Sequence, residues 1–555
     1  MRNIKAVEDL EQNALFDTAT LDACSWWVTD LEESARRRLE ESWPGIFRRS
    51  LLKLMPAEQL GAKFSTSFGR PTKELHAMAA LVFIMEFKDW TNEEAADAFT
   101  FDNSIHFALN LPNRRNYLCT RTLETYRALV REDDAAAEAF MDVTRALVEA
   151  LNINIKVQRL DSTHLLSDMA SFGRTKLLAV AVKRLLTALK RHTPQRYASL
   201  GEPLRERYEP SLGRLFGEAS TSKQGRAQAQ LQVGQDMHLL IESFAEDSDI
   251  NQRSTYQALV RLFGEHCEVK DKQVGVRHKA QDEQGQSAHT MQNPSDPDAG
   301  YSGHKGAGYQ VQLSETSARD NPVQLIIACV PQSAGDQDAR ALEPVLEQLR
   351  GNQMLPTELA ADTAYGSDEN YQQASSEGIE LISPVPGLPP KTGTAAEAAE
   401  GESDGPPKMR GRRQATEQSR ALQKAAKRNA LRREEQESEA WRQKYRRRAG
   451  SESLNRGLDR RTHIKQLRVR GQRAVTHSVY AKVMGWNILQ SARAIRKAAV
   501  AARKAAKEAL APWSIQIRTK LRLLPPQLLR ITSGIDHLVQ RFCGFTSPMS
   551  SMTAA

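Results

Sequence analysis

The sequence predicts a mixed α/β or α+β protein: a sheet flanked by helices and broken by helical insertions, preceded by an all-helical N-terminal region. Three observations predict it. Residues 1–150 carry apolar residues at helical spacing. Runs rich in β-branched and apolar residues begin only at Asn152 and recur up to about residue 385. Their order is strand, helical insertion, strand, strand, helix, strand, helix, strand, insertion, helix, which a mixed sheet with helices packed on it accommodates.

In the N-terminal region, RPTKELHAMAALVFIMEFKDW has helical periodicity, with Pro71 near its start. Thr91 then precedes NEEAADAFTF, whose acidic first turn suits a helix N-terminus. Two helices around a short break outline a helix-turn-helix, although most such pairs are simply packing units. TLETYRALVREDDAAAEAFMDVTRALVEAL closes the region as a further helix. INIKVQRLDSTHLLS reads as the first strand. RTKLLAVAVKRLLTALKRH opens a helical insertion that runs to about Cys267. After a polar loop come two strands, GYQVQLSET and PVQLIIACV, then the helix ARALEPVLEQLR. LPTELAADTAYG is a strand leading to a helix that begins near Ser367, and IELISPV is the last strand. Residues 387–440 hold Gly, Pro, Ser and Thr, then alternating charges with almost no large apolar residue. They read as a solvated insertion, disordered or a frayed helix. Helices follow from about Trp441 and again from about Val475, ending near residue 510, with a tail over 511–555.

Length and charge bound the function. The chain has 555 residues, a net charge of +9 (77 basic against 68 acidic) and 40% hydrophobic residues, so a polyanionic partner is compatible. Its five cysteines, Cys24, Cys119, Cys267, Cys329 and Cys543, lie far apart with no CxxC pair, against a zinc ribbon or a disulfide scaffold. The N-terminus lacks a signal-peptide core, and the apolar run His76–Phe87 is about half a membrane span. A soluble cytoplasmic protein with no membrane partner is expected.

Three carboxylates stand in informative places. Asp161 lies amid apolar residues of the first strand, Asp362 at the end of a later strand, and Glu452 on the helix after the charged insertion. Such groups gathered at one point repel, and divalent cations relieve the repulsion. Oxygen ligands favour Mg²⁺ or Mn²⁺ over zinc. Two ions about 4 Å apart serve phosphoryl transfer. Any one of these residues could equally be a strand-end cap, and spacing alone leaves the choice open.

The words LDSTHLLSDMASFGRTKLL, HKGAGYQVQLSET, ADTAYGSDENYQQASSEGIELISPVP and YRRRAGSESLNRGLDRRTHIKQLRVRGQRAV resemble, in order, the blocks of DDE transposases of bacterial insertion sequences. GRPTKELHAMAALVFIMEFKDWTNEEAADAF resembles that family's amino-terminal domain. Together they cover most of residues 65–490. The resemblance implies an RNase H-like catalytic domain over 151–386 and 441–510, with its helical insertion at about 174–267, and a DNA-binding helical domain over 1–150. It implies that Asp161, Asp362 and Glu452 are catalytic and hold two Mg²⁺ (or Mn²⁺) ions. Related families carry Tyr, Arg three residues on, Glu four further and Lys seven beyond. Here Tyr445, Arg448 and Glu452 match, within about 60° on a helix at 100° per residue, while Asp459 stands where the lysine is expected. Arg456 is the substitute cation. Tyr445, Arg448 and Arg456 are the expected DNA contacts.

The implied activity is cleavage at the inverted repeats ending a mobile element, then attack of each freed 3′-OH on target DNA. Double-stranded DNA is the partner, bound by a homodimer that is nucleoid-associated while on DNA. The rival readings are an RNase H-like nuclease without strand transfer and a non-catalytic, decayed transposase that only binds. His164, His304 and Lys305 are secondary candidates: a structural role is the commoner one for a histidine placed as His164 is, and a turn role is equally good for His304 and Lys305. Basic clusters at Arg446–Arg448, at Arg460 and Arg461, and from Arg493 to Lys507 would make DNA binding weaken steeply with salt.

Overall fold

The computed structural model describes residues 28, 30–65, 73–111, 116–132, 134–212, 214–216, 222–387 and 417–522. Four helices dominate the N-terminal region: α1 (Leu75–Lys88), α2 (Asn92–Phe101), α3 (Thr120–Arg131) and α4 (Ala135–Ala150). Side-chain caps set their limits. Glu74 accepts from the His76 and Ala77 N–H groups at the start of α1. Asp89, left-handed at φ 57°, ends it. Thr91 and Glu94 form a reciprocal capping box on α2.

Helix α1 is buried along nearly its whole length, and the exposed residues of α2 include Glu93, Glu94 and Asp97. That face carries charge of the wrong sign for contact with a phosphate backbone.

Among the described residues eight strands follow: β1 (Val157–Leu165), β2 (Cys267–Lys270), β3 (Gln273–Val276), β4 (Gly300–Ser302), β5 (Gly306–Thr316), β6 (Ile326–Ser333), β7 (Glu358–Ala361) and β8 (Glu380–Ile382). In the main sheet β1 is central. It pairs antiparallel with β5 and parallel with β7. Strands β6 and β4 share the far edge of β5, and β8 continues parallel beyond β7. All five strands read from the sequence are in this sheet. The short β4 and the separate β2–β3 hairpin carried too little pattern to be read.

The insertion between β1 and β2 is helical, as expected. Its long helices α5 (Arg174–His192), α6 (Lys223–Phe244) and α7 (Ser254–His266) enclose their own apolar cluster, which includes Leu178, Leu185, Met237 and Leu259. Between the later strands lie α8 (Leu342–Gly351) and α9 (Asp368–Ser376), and after β8 come α10 (Glu417–Gln436), α11 (Glu439–Tyr445), α12 (Gly450–Thr462) and α13 (Gln472–Arg522). Residues 388–416 and the tail beyond 522 lie outside the described residues. So do Cys24, Cys543 and the basic residues Arg410, Arg412 and Arg413.

The N-terminal helices are not a separate body. One core runs from Phe83 and Phe87 of α1 through Phe140 of α4 to Leu160, Leu313 and Ile327 of the sheet, and on to Val479, Met484 and Trp486 of α13. A buried polar knot ties it together. Glu86 accepts from Arg127 Nη2 (2.7 Å), Arg131 Nη2 (2.8 Å) and Ser478 Oγ (2.7 Å). Burial alone would push its pKa up, but Arg127, His477 and Arg131 bring it down to about 2. Lys482, 1% exposed, donates to Asp89 Oδ1 (2.9 Å) and to the carbonyls of Glu86 and Thr462. The end of α12 is thereby fixed to α1 and α13.

Candidate active site

The parallel pairing of β1 with β7 sets Leu160 opposite Ala361, so the next residues, Asp161 within β1 and Asp362 just past the end of β7, lie at the same level. Their carboxylates meet at one guanidinium. Arg448 Nη2 lies 3.7 Å from Asp161 Oδ1 and 3.7 Å from Asp362 Oδ2. Asp161 Oδ1 also accepts from the Ser162 N–H (3.1 Å), and its Oδ2 accepts from Asn455 Nδ2 (3.2 Å). Burial raises the Asp161 pKa; Arg448 pulls it back and the neighbouring Asp362 pushes it further up. Asp362 caps the short turn Thr363–Tyr365 by accepting the Ala364 N–H at 2.9 Å, and its carbonyl accepts from Ser383 Oγ.

Helix α12 is held across the end of β1. The chain leaving it doubles back, Leu166 N–H donating to Lys465 O and Leu467 N–H to Leu166 O, each at 2.8 Å. Glu452 stands exposed in the first turn of α12. It lies one turn after Arg448 and one turn before Asn455, the two residues that reach Asp161. Glu452 itself makes no hydrogen bond or ion pair among the described residues. Nor do those residues hold any group of three Asp, Glu, His or Cys side chains disposed to bind a metal ion.

The segment before α12 differs from a single helix. Tyr445 ends α11, Arg446–Ala449 form a 3₁₀ turn, and α12 starts at Gly450. The tighter turn brings the backbone close against Arg159, where any Cβ on Gly450 would overlap the guanidinium. Arg159 in turn pairs with Glu315 and donates to Arg447 O (3.2 Å). Tyr445, Arg448 and Glu452 therefore do not share one α-helical face. Tyr445 stacks on Trp441, ring centroids 4.9 Å apart. Arg456 is exposed on α12 with no ion pair among the described residues. Arg493 of α13 is close enough to Arg461 and Arg460 that, after burial, they lower its pKa.

Behind the acid pair, on the opposite face of β1, lies a second polar cluster. Lys305 Nζ donates to Ser162 Oγ (2.9 Å) and pairs with Asp338 Oδ2 (3.2 Å). Gln312 Nε2 donates to Asp338 Oδ1 (3.0 Å), and the Tyr365 hydroxyl donates to Gln312 Oε1. His164, three residues after Asp161 in an alternating strand, shares this other face, in register with Gln310. Burial lowers its pKa. Asp168, Asp336 and Asp459 have structural partners: the Arg470 guanidinium, the Ser333 N–H and the Lys465 N–H. Sequence reasoning missed Asn455 and Asp338. Asn455 was visible only as the residue one turn beyond Glu452, and Asp338 carried no local signal.

Two carboxylates converging on a positive group suit a hard cation, since every free donor there is oxygen. Asn455 Oδ1, buried and without a hydrogen-bond partner, adds a further oxygen beside Asp161. The pair thus fits a divalent ion, with Arg448 where the positive charge is needed. No described helix is long and apolar enough to cross a membrane.

Residues 282–488 match the family model described as a transposase DDE domain. The match contains Asp362, Arg448 and Glu452, and it begins after Asp161. No curated protein and no solved structure matches the chain.

Proposed function

We propose, from the match of residues 282–488 to the transposase DDE domain model, that this chain is a DNA transposase that cuts the terminal inverted repeats of a bacterial mobile element and joins the freed ends to target DNA. The observation that carries the proposal is the meeting of Asp161 and Asp362 at one cationic point on neighbouring parallel strands. Glu452 is the third acid. It stands on the helix that touches Asp161 through Asn455 and would have to turn toward the pair to share an ion with it.

Asp161, Asp362 and Glu452 would hold divalent ions, Mg²⁺ or Mn²⁺ and two in number. When bound, such ions neutralise charge on the attacking and leaving oxygens of an in-line displacement. The chain's own residues do the rest. Asn455 holds Asp161 by one oxygen. The Arg448 fork exchanges the carboxylates for a phosphate oxygen of the DNA, a bidentate interaction that guanidinium geometry favours. Tyr445 donates its hydroxyl to the same backbone, and Arg456, with Arg460, Arg461 and Arg493, continues the positive surface away from the cut. Hydrolysis of the phosphodiester at each element end leaves a 3′-OH, and that hydroxyl displaces the 3′-oxygen of a target phosphodiester. Two protomers pair the two ends.

The test is cleavage of terminal-repeat DNA with Mg²⁺ by Asp161→Ala, Asp362→Ala and Glu452→Ala proteins. Loss of cutting with DNA binding retained is expected. Undiminished cutting by any one variant removes that residue from the site. A strand-transfer assay on pre-cut ends separates a transposase from a nuclease that only hydrolyses. DNA binding without cutting by the unaltered chain would mark it as a decayed, non-catalytic relative.

A further inference from the structure

The charged stretch before Trp441 was expected to be solvated, yet residues 417–436 form α10, and one stripe of it is packed. Arg428, Arg432 and Gln436 recur every fourth residue and so share a face. All three reach the chain on either side of Asp362. Arg428 forks onto Asp368. Gln436 Nε2 donates to Ser383 O (3.4 Å). Arg432 lies between them, 6% exposed. Its Nη1 donates to Gly366 O (3.0 Å) and Asn429 Oδ1 (3.2 Å), its Nη2 donates to Ser383 O (3.3 Å), and the guanidinium sits 4.4 Å from the centre of the Tyr371 ring.

These two carbonyls belong to the segments that hold Asp362. Gly366 closes the turn that Asp362 caps, and Ser383 donates its hydroxyl to the Asp362 carbonyl. The segments are pressed together so tightly that any Cβ on Gly366 would overlap Pro384 O. A buried guanidinium carries a desolvation penalty that an apolar residue filling the same space would avoid. What the arginine adds is a planar fork able to bind two carbonyls at once, one on each segment. Chain connectivity extends the arrangement. Helix α10 leads through α11 to Arg448, and on the way Lys444 pairs with Glu380 of β8 (2.6 Å) and Arg447 with Glu358 of β7. The strand carrying Asp362 is thus held at both ends by the same stretch of chain that delivers the guanidinium to its carboxylate.

We propose that α10 is a clasp on the Asp362 turn and that Arg432 is a positioning residue for the reaction, aiming the Asp362 carboxylate at the point it shares with Asp161. The catalytic half of this inference rests on the transposase reading; the clasp itself does not.

The test uses the full-length chain with Arg432→Gln and Arg432→Lys. Hydrogen exchange is followed in peptides covering 360–368 and 381–387, with peptides of α1 and α13 as reference, alongside DNA binding and cleavage of terminal-repeat DNA. Both variants are expected to speed exchange in the two loop segments alone, because lysine keeps the charge but lacks the fork. DNA affinity stays unchanged, while the cleavage rate falls on the order of 100-fold, as for an ångström-scale misplacement of a reacting group. Unchanged exchange in the loops overturns the clasp. A uniform rise across α1 and α13 reduces Arg432 to general stability and overturns it equally. Faster loop exchange with an unchanged cleavage rate overturns the positioning role. If the unaltered protein cuts nothing while the loops still loosen in the variants, the transposase reading fails and the clasp stands.

Discussion

Replacing Arg448 by Gln removes the one positive charge that stands between Asp161 and Asp362. The guanidinium is 3.7 Å from each carboxylate, and all three side chains are less than one-third exposed. An opposite charge at this range holds a carboxyl pKa down, so its loss should raise Asp161 further. The shift adds to an existing one, because burial already holds Asp161 above its unfolded value. A raised carboxyl favours the protonated fold. The stability it contributes is complete below about pH 4, where the unfolded group also protonates, and is lost as pH rises through the folded pKa. Arg448→Gln should therefore push that loss to higher pH and leave the protein more pH-sensitive on approach to neutrality. The assay is a carboxyl NMR titration with labelled aspartate, the Asp161 signal being identified by its disappearance in Asp161→Asn. Coincident Asp161 titration curves in the unaltered and Arg448→Gln proteins would refute the reasoning.

Glu86→Gln should cost about 3–5 kcal/mol in denaturant unfolding, since it strands Arg127 and Arg131 in the core. Because Glu86 is held down at about 2, its stabilisation is present above about pH 4.5 and lost as pH falls toward 2, and the variant should lack that part of the acid transition. Gly485→Ala would place a Cβ inside the Phe87 side chain where α13 crosses α1. A loss of about 1–3 kcal/mol is expected, and a neutral result would separate the two helices. The combined change Arg456→Gln, Arg460→Gln and Arg493→Gln should lessen the salt dependence of DNA binding by about 2.7 in log–log slope, about 0.9 for each phosphate contact. An unaltered slope would remove these residues from the DNA surface. Asn455→Ala withdraws a hydrogen bond from Asp161 and should slow cleavage by about tenfold, the equivalent of about 1.4 kcal/mol, with DNA affinity intact.

The five main strands were legible because each is a run of apolar and β-branched residues bounded by turns. The place of Asp161 followed from a charge set in such a run. The acidic first turn after Thr91 likewise announced α2, and the structure adds a capping box there. Helix α10 was illegible for the opposite reason. Its packed stripe, Arg428, Arg432 and Gln436, is polar and binds carbonyls and a carboxylate, so no hydrophobic period marks it. The division of the Tyr445–Glu452 stretch into helix, 3₁₀ turn and helix accompanies a close approach of Gly450 to the distant Arg159, a contact that spacing does not encode. The joint core of α1, α4 and α13 was hidden too, because periodicity shows that a face is buried but not what covers it.

The claim on which the functional account rests is that Asp161, Asp362 and Glu452 gather around divalent ions. The most direct measurement is anomalous diffraction from crystals of the protein bound to terminal-repeat DNA and Mn²⁺. Manganese peaks between Asp161 and Asp362, with the Glu452 carboxylate as a further ligand and Arg448 turned to a DNA phosphate, are the predicted result. Manganese bound elsewhere, with Arg448 still between the two aspartates and Glu452 facing solvent, would contradict it.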